Sequence, residues 1–135
     1  MELLGVRGIQ LIIVGGMLRD DSLSVVGHFA EEMLEHFSAD KLFLGAAACD
    51  LTFGVSTPNM AEARVNQVMV RIAREKILVA DSSKFLKRSM CRIVALSEIG
   101  KIITDTELPK EVQEERERYV KAILCSTAGG STLMQ

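Results

Sequence analysis

Short apolar runs alternate along the chain with longer amphipathic stretches. The apolar runs are five or six residues long and rich in β-branched side chains, a pattern that predicts buried strands. Gly15-Gly16 closes the first of them, a typical end for a strand. Strands are expected at 9–14, 41–45, 76–80, 101–105 and 120–124, with a further short apolar segment at 89–95.

The amphipathic stretches predict helices. From Val25 to Phe37 the apolar residues form one helical stripe with the charged residues opposite. Thr57 and Pro58 look like an N-cap and the first helical position of a second helix, which should end near Arg74. Ser97 is expected to cap one helical turn, and a solvated helix should span 109–119. The second helix is expected to bury Met60, Ala63, Val65, Val68, Met69 and Ile72.

This order of elements predicts an α/β fold in which a mostly parallel sheet carries helices on both faces. With 135 residues, the chain fits one domain. We expect that domain to span residues 1–125, and residues 126–135, which lack periodicity, to form a disordered tail.

Composition narrows the function classes. A net charge of −2 argues against direct nucleic-acid contact, which needs clustered Lys and Arg. No apolar stretch approaches a membrane span, and the opening residues do not show the pattern of a signal peptide. The three cysteines have no metal-ligand spacing and indicate buried thiols of a cytoplasmic protein. We therefore expect no metal, no cofactor and no membrane contact.

In parallel sheets, ligands gather beyond the carboxyl ends of the strands. The loop after the first predicted strand reads Gly15-Gly16-x-x-Arg19. Its glycines would let backbone N–H groups approach an anion, and Arg19 would add charged donors. A simple turn with a surface arginine is the favoured alternative, and no dinucleotide-binding glycine motif is present.

Two acidic residues are candidates in the middle of the chain. Asp50 follows the second predicted strand. It can bind sugar hydroxyls, act as a base, or cap a turn. Glu62 lies in the first turns of the helix that follows Thr57, where the helix dipole alone favours an acid.

The segment Asp81-Ser82-Ser83-Lys84 places an acid, two hydroxyls and a cation beyond the third predicted strand. It can bind a phosphate or polyol through Lys84, or Asp81 can simply cap the next turn. Both histidines, His28 and His36, fall on the polar face of one helix, so no Ser-His-Asp set and no catalytic residue is indicated.

Several motifs in order resemble the C-terminal sensor domain of DeoR-family transcriptional repressors, from about Ile9 to Leu124. Single matches would be weak, whereas their common order is specific. The matching stretches are GGMLRDDSLSVVG at 15–27, FAEEMLEHFSADKLFLGA at 29–46, D-x-x-x-G-x-x-TPN at 50–59, ADSSKF at 80–85 and LSEIGKIITD at 96–105.

This resemblance implies the fold shared with ribose-5-phosphate isomerase and glucosamine-6-phosphate deaminase. It implies binding of a phosphorylated sugar or related metabolite as an effector that weakens operator binding. Family members begin with a winged helix-turn-helix, so the DNA-binding head is expected to be absent from this chain, and a homo-oligomer is expected. The alternatives are a small sugar-phosphate isomerase using Asp50 or Glu62 as base, and a degenerate domain that only oligomerises.

The resemblance also implies the ligand-binding residues. Three positions depart from the family pattern. Ala47 and Ala48 stand where Asp and Gly are frequent, and Asn66 stands where Lys is common. The matching residues are Gly15, Gly16, Arg19, Asp50, Thr57, Glu62, Asp81, Ser82, Ser83 and Lys84.

Overall fold

The computed structural model describes the backbone of residues 5–119 and 121–125, and the side chains of residues 5–114. Its strands are β1 (Met17–Leu18), β2 (Val25–Val26), β3 (Ala39–Gly45), β4 (Ala48–Asp50), β5 (Gly54–Thr57), β6 (Ala73–Val79), β7 (Cys91–Val94), β8 (Lys101–Asp105) and β9 (Lys121–Cys125). Its helices are α1 (His28–Glu35), α2 (Met60–Ile72) and α3 (Lys110–Tyr119), with 3₁₀ turns at Ser82–Lys84 and Leu96–Glu98.

A four-stranded parallel sheet in the order β3-β6-β8-β9 forms the centre of the fold. Gly45 pairs with Val79, and Val79 pairs with Ile103. The carboxyl ends of β3, β6 and β8 therefore lie side by side and form one edge. A three-stranded antiparallel sheet, β4-β5-β7, and the short antiparallel pair β1-β2 complete the described strands.

The main core lies against one face of the parallel sheet. Leu44, Leu78 and Ile102 are in register on that face and are at most 2% exposed. The strand order of the parallel sheet follows the chain without reversal. On the opposite face, Phe43 is 64% exposed and Val79 is 42% exposed.

A second apolar cluster joins α1 to α2 and β2. Ala30 and Leu34 of α1 pack there against Val65 and Val68 of α2. Two ion pairs across the same helices, Arg64–Glu31 at 3.3 Å and Arg71–Glu35 at 2.7 Å, border this cluster. Its members are Val26, Ala30, Leu34, Val65 and Val68.

The α/β fold class is confirmed, and so are the strands predicted near 41–45, 76–80, 101–105 and 120–124 and the three helices. No helix in the described part of the chain has the length and apolar character needed to cross a membrane. The expected tail at 126–135 lies outside the described residues.

The strand predicted at 9–14 is wrong. That stretch has no strand, and Ile12 and Ile13 are 53% and 64% exposed. A β-branched run becomes a strand only when a neighbouring strand pairs with its backbone, and within the described residues none pairs with it.

The ends of the helices also differ from the prediction. Val25 and Val26 belong to a strand, so α1 begins only at His28. The N-cap of α2 is Asn59, not Thr57, because the Asn59 side chain accepts a hydrogen bond from the Glu62 backbone N–H at 2.9 Å while Thr57 ends β5. Ala95, not Ser97, precedes the second 3₁₀ turn.

Burial and pairing add two further differences. Met60 was expected to be buried and is 66% exposed, because it is the first residue of α2. The pattern of the sequence did not indicate the antiparallel β4-β5-β7 sheet, whose first two strands are only three and four residues long. Cys49 is a buried free thiol as expected, Cys91 is a half-buried one, and the Cys125 side chain lies outside the described set.

Candidate functional site

A cavity of about 330 Å³ opens beside the carboxyl end of β3, between that strand and α2. Apolar side chains and the backbone after β3 form most of its wall, and three polar side chains face it. Its lining residues are Phe43, Leu44, Gly45, Ala46, Ala47, Thr57, Glu62, Asn66, Met69 and Ile93.

An ion pair and a hydrogen bond hold Glu62 at this cavity. The Arg19 guanidinium lies 2.8 Å from Glu62 Oε2, and the buried Thr57 hydroxyl donates to the same oxygen at 3.1 Å. The Asn59 cap orients the first turn of α2 and so directs the Glu62 side chain toward β5 and the β1-β2 pair. Arg19 therefore meets Thr57 and Glu62, although it lies far from both of them in the sequence.

Gly16 has a structural reason to be glycine. Its φ is 153°, and a Cβ there would lie 2.7 Å from Val25 Cγ1 and 2.9 Å from the Val26 carbonyl oxygen. The chain thus approaches β2 too closely for any side chain. Gly15 has open space around its Cα. Neither glycine lines the cavity, but both precede the strand that carries Arg19 toward Glu62.

Asp50 does not line the cavity and instead closes the β4–β5 turn. Its Oδ1 accepts hydrogen bonds from the Thr52 N–H at 3.0 Å, the Thr52 hydroxyl at 2.8 Å and the Phe53 N–H at 2.7 Å. Arg88 donates to the same oxygen at 3.0 Å and stacks on the Phe53 ring, 4.7 Å from its centroid. The Phe53 and Thr52 hydrogen bonds, with that from Arg88, hold the pKa of Asp50 well below its usual range. Turn capping is therefore its observed role.

The segment 81–84 lies at the carboxyl edge of the parallel sheet, directly after β6. Asp81 caps the 3₁₀ turn by accepting from the Ser83 N–H at 3.0 Å and from the Ser83 hydroxyl. Both hydrogen bonds lower the pKa of Asp81, and the one from the Ser83 hydroxyl has the larger effect. Within the described part of the chain, no carboxylate lies within ion-pair distance of Lys84. The cation is thus available, although the segment does not line the cavity.

Asp105 is a residue of this edge that sequence reasoning missed. It ends β8, and its Oδ2 accepts a hydrogen bond from the Ser82 N–H at 2.8 Å, which lowers the pKa of Asp105. The rule that ligand loops follow strand ends selects the position after Thr104, so a signal was present. Asp105 links the ends of β6 and β8 and positions the 81–84 segment.

The structure thus brings Arg19, Thr57 and Glu62 together and adds Asn66 and Met69 from α2. It leaves Asp50 at a separate turn. Across the described residues, no group of three or more His, Cys, Asp or Glu side chains is arranged to hold a metal ion.

Comparison with known proteins places these features in a family context. The model of the family described as the DeoR C-terminal sensor domain matches residues 1–106. A protein assigned as the transcriptional repressor of the aga operon in Escherichia coli O157:H7 is 42% identical over 123 residues, which are 90% of this chain and 46% of that protein.

Two further relatives have regulator names. The HTH-type transcriptional regulator GlpR of Haloferax volcanii is 42% identical over 108 residues, covering 80% of this chain and 42% of GlpR. The glycerol-3-phosphate regulon repressor of Haemophilus influenzae is 27% identical over 117 residues, covering 87% of this chain and 46% of that repressor. The chain therefore spans less than half the length of these curated relatives.

Proposed function

Because the chain belongs to the family of DeoR C-terminal sensor domains, we propose that it binds a phosphorylated sugar or a closely related metabolite as an effector. In the whole regulator, this binding would control DNA attachment by a separate part of the protein. The observation that carries the proposal is the cavity at the carboxyl end of β3, into which Glu62, Thr57 and Asn66 project.

The shape and lining of the cavity fit this role. A volume of about 330 Å³ lies within the range of small-ligand sites, which combine an apolar wall with a few placed polar groups. Glu62 is held by Arg19 and Thr57 before any ligand arrives, so little side-chain ordering would oppose binding.

A phosphate on the effector would need a cation near the cavity. Lys84 lies on the loop after β6. The last residue of β6, Val79, pairs with Gly45 of the cavity wall. We infer that the Lys84 ammonium receives the phosphate, with Gly15 and Gly16 shaping the neighbouring strand pair.

We infer that the chain is not an isomerase. Asp50 Oδ1 is occupied by the turn, and its lowered pKa makes it a poor base near neutral pH. Glu62, the other candidate base, is paired with Arg19 at 2.8 Å. Relatives with regulator names support the same inference. We further propose a cytoplasmic homo-oligomer that contacts DNA through another domain, consistent with the net charge of −2.

A thermal-shift experiment with a panel of sugar phosphates tests the proposed function. At 100 times the dissociation constant, a ligand stabilises the folded state by about 2.7 kcal/mol, which raises Tm by roughly 10 °C in a chain of this size. Lys84→Ala should reduce the ligand-induced rise in Tm. Lys87→Ala is the matched control, since Lys87 is exposed on the loop that follows, and it should leave the rise unchanged. A panel without any shift would contradict the proposal.

A further inference from the structure

The cavity contains one charged side chain, and that charge already has a partner. Among the lining residues only Glu62 is ionisable. Arg19 approaches its Oε2 from outside the lining at 2.8 Å, and Thr57 donates to the same oxygen. The interior of the cavity is therefore close to neutral, although a carboxylate stands in its wall.

Two polar groups in the wall keep free hydrogen-bonding capacity. Both hydrogen bonds that Glu62 accepts reach Oε2, and within the described residues none reaches Oε1. Asn66 follows Glu62 by four residues on α2 and so lies on the same helix face, one turn further along the cavity wall. Its amide forms no hydrogen bond with the described residues and offers both donors and an acceptor.

These two groups discriminate among ligand ends. An anionic end would lose its hydration in this wall and find no unpaired cation there to compensate the loss. An ammonium end would meet a carboxylate already neutralised by Arg19. A hydroxyl can donate to Glu62 Oε1 and accept from the Asn66 amide, and the apolar wall of Phe43, Ala47 and Met69 tolerates the carbon skeleton.

We propose that this cavity binds the uncharged, hydroxyl-bearing end of the effector, and that Asn66 is the residue that sets this preference. The phosphate then lies outside the cavity, at the loop of Lys84. This inference rests on the proposed function, because it assumes that the effector carries a phosphate at its other end.

Two probes that share a phosphate and differ at the other end test the inference. Sorbitol 6-phosphate ends in a hydroxymethyl group, and 6-phosphogluconate ends in a carboxylate. Isothermal titration of the full chain should give at least about tenfold tighter binding of sorbitol 6-phosphate, as expected when a carboxylate loses hydration in a wall that offers it no unpaired cation.

Variants at position 66 should move this ratio in opposite directions. Asn66→Lys supplies a cation and should bring the ratio of the two dissociation constants to about one or reverse it. Asn66→Asp, close in shape to the wild type, should widen the ratio further. Gln67→Lys is the matched control, since it adds the same charge on an exposed neighbour that does not line the cavity, and it should leave the ratio unchanged.

The outcomes separate the inference from the proposed function. If neither probe binds the wild-type chain, the inference is overturned, and the sugar-phosphate panel decides the sensor function separately. If both probes bind with equal affinity, or if neither folded position-66 variant changes the ratio, the inference alone is overturned and the sensor function stands. Circular dichroism identifies the folded variants, and Asn66→Asp decides the matter if Asn66→Lys does not fold.

Discussion

Replacing Gly54 by alanine is expected to destabilise the protein strongly. Gly54 is the first residue of β5 and has a φ of 92°, in the region that favours glycine. A Cβ at this position would lie 2.2 Å from the Val94 carbonyl oxygen and 2.9 Å from Ala95 Cα. Both neighbours are backbone atoms, so no side-chain rotation relieves the overlap and the β5–β7 pair must separate.

The cost has two parts. Holding a non-glycine residue in the left-handed region costs about 1–2 kcal/mol, and overpacking against a fixed neighbour adds about 1–3 kcal/mol. The sum, about 2–5 kcal/mol, is a large share of the stability of a typical domain. Displacing β5 would also move Thr57, which bonds Glu62, so ligand binding should weaken together with stability.

Urea unfolding followed by circular dichroism measures this loss of stability. Alanine substitutions at two other glycines separate its backbone part from its steric part. Gly27 has a φ of 99°, but a side chain added there would meet no neighbouring atom. Gly27→Ala therefore reports only the free-energy cost of holding a non-glycine residue in this backbone conformation. Gly45 has open space and no unusual φ, so Gly45→Ala should change the free energy of unfolding by less than about 0.5 kcal/mol. If Gly54→Ala loses no more stability than Gly27→Ala, the steric argument is refuted.

Three further outcomes follow from local contacts. Asn59→Ala should lower the free energy of unfolding by about 1 kcal/mol, because it removes the cap of α2. Asn59→Asp should keep most of that stability, since an aspartate also caps a helix. Equal losses for the two variants in urea unfolding would contradict the capping role. Burial, with a contribution from the Asp50 charge, raises the pKa of Cys49 to about 12. At pH 8 iodoacetamide should therefore label Cys49 only when the protein is unfolded in urea, and mass spectrometry detects the label. Rapid labelling of the native protein would count against the burial of Cys49. Because the pKa of Asp50 is lower in the folded state, its stabilisation is present above the unfolded-state pKa near 4 and is lost as pH falls below it. The drop in Tm between pH 6 and pH 3 should therefore be smaller in Asp50→Asn, and an identical drop would exclude this contribution.

The candidate site could be predicted from the sequence only in part. The strand-end rule selected the loops after β3, β6 and β8, because parallel strands align their carboxyl ends wherever they pair, and a cavity lies beside the end of β3. It did not reveal that Asp50 serves a turn, since the same carboxylate can cap a turn or bind a ligand, and only its four hydrogen bonds decide between these roles.

The convergence of Arg19 on Glu62 had no local signal. Forty-three residues separate them, and they meet because β1-β2 and α2 share the cluster around Ala30 and Val65. Asn66 was visible in the sequence only as a departure from the family pattern. Its place in a cavity depends on how α2 packs beside β3.

By itself, the sequence determined the α/β class, the parallel strands and their helices, and the family, because apolar periodicity and ordered motifs are properties of local stretches. Tertiary structure alone decided the rest. The run 9–14 has strand propensity but no partner, while β4 and β5, too short to show a period, become strands because β7 pairs with the β4–β5 hairpin. Pairing partners and cavity walls come from distant parts of the chain, and no local pattern encodes which of them will meet.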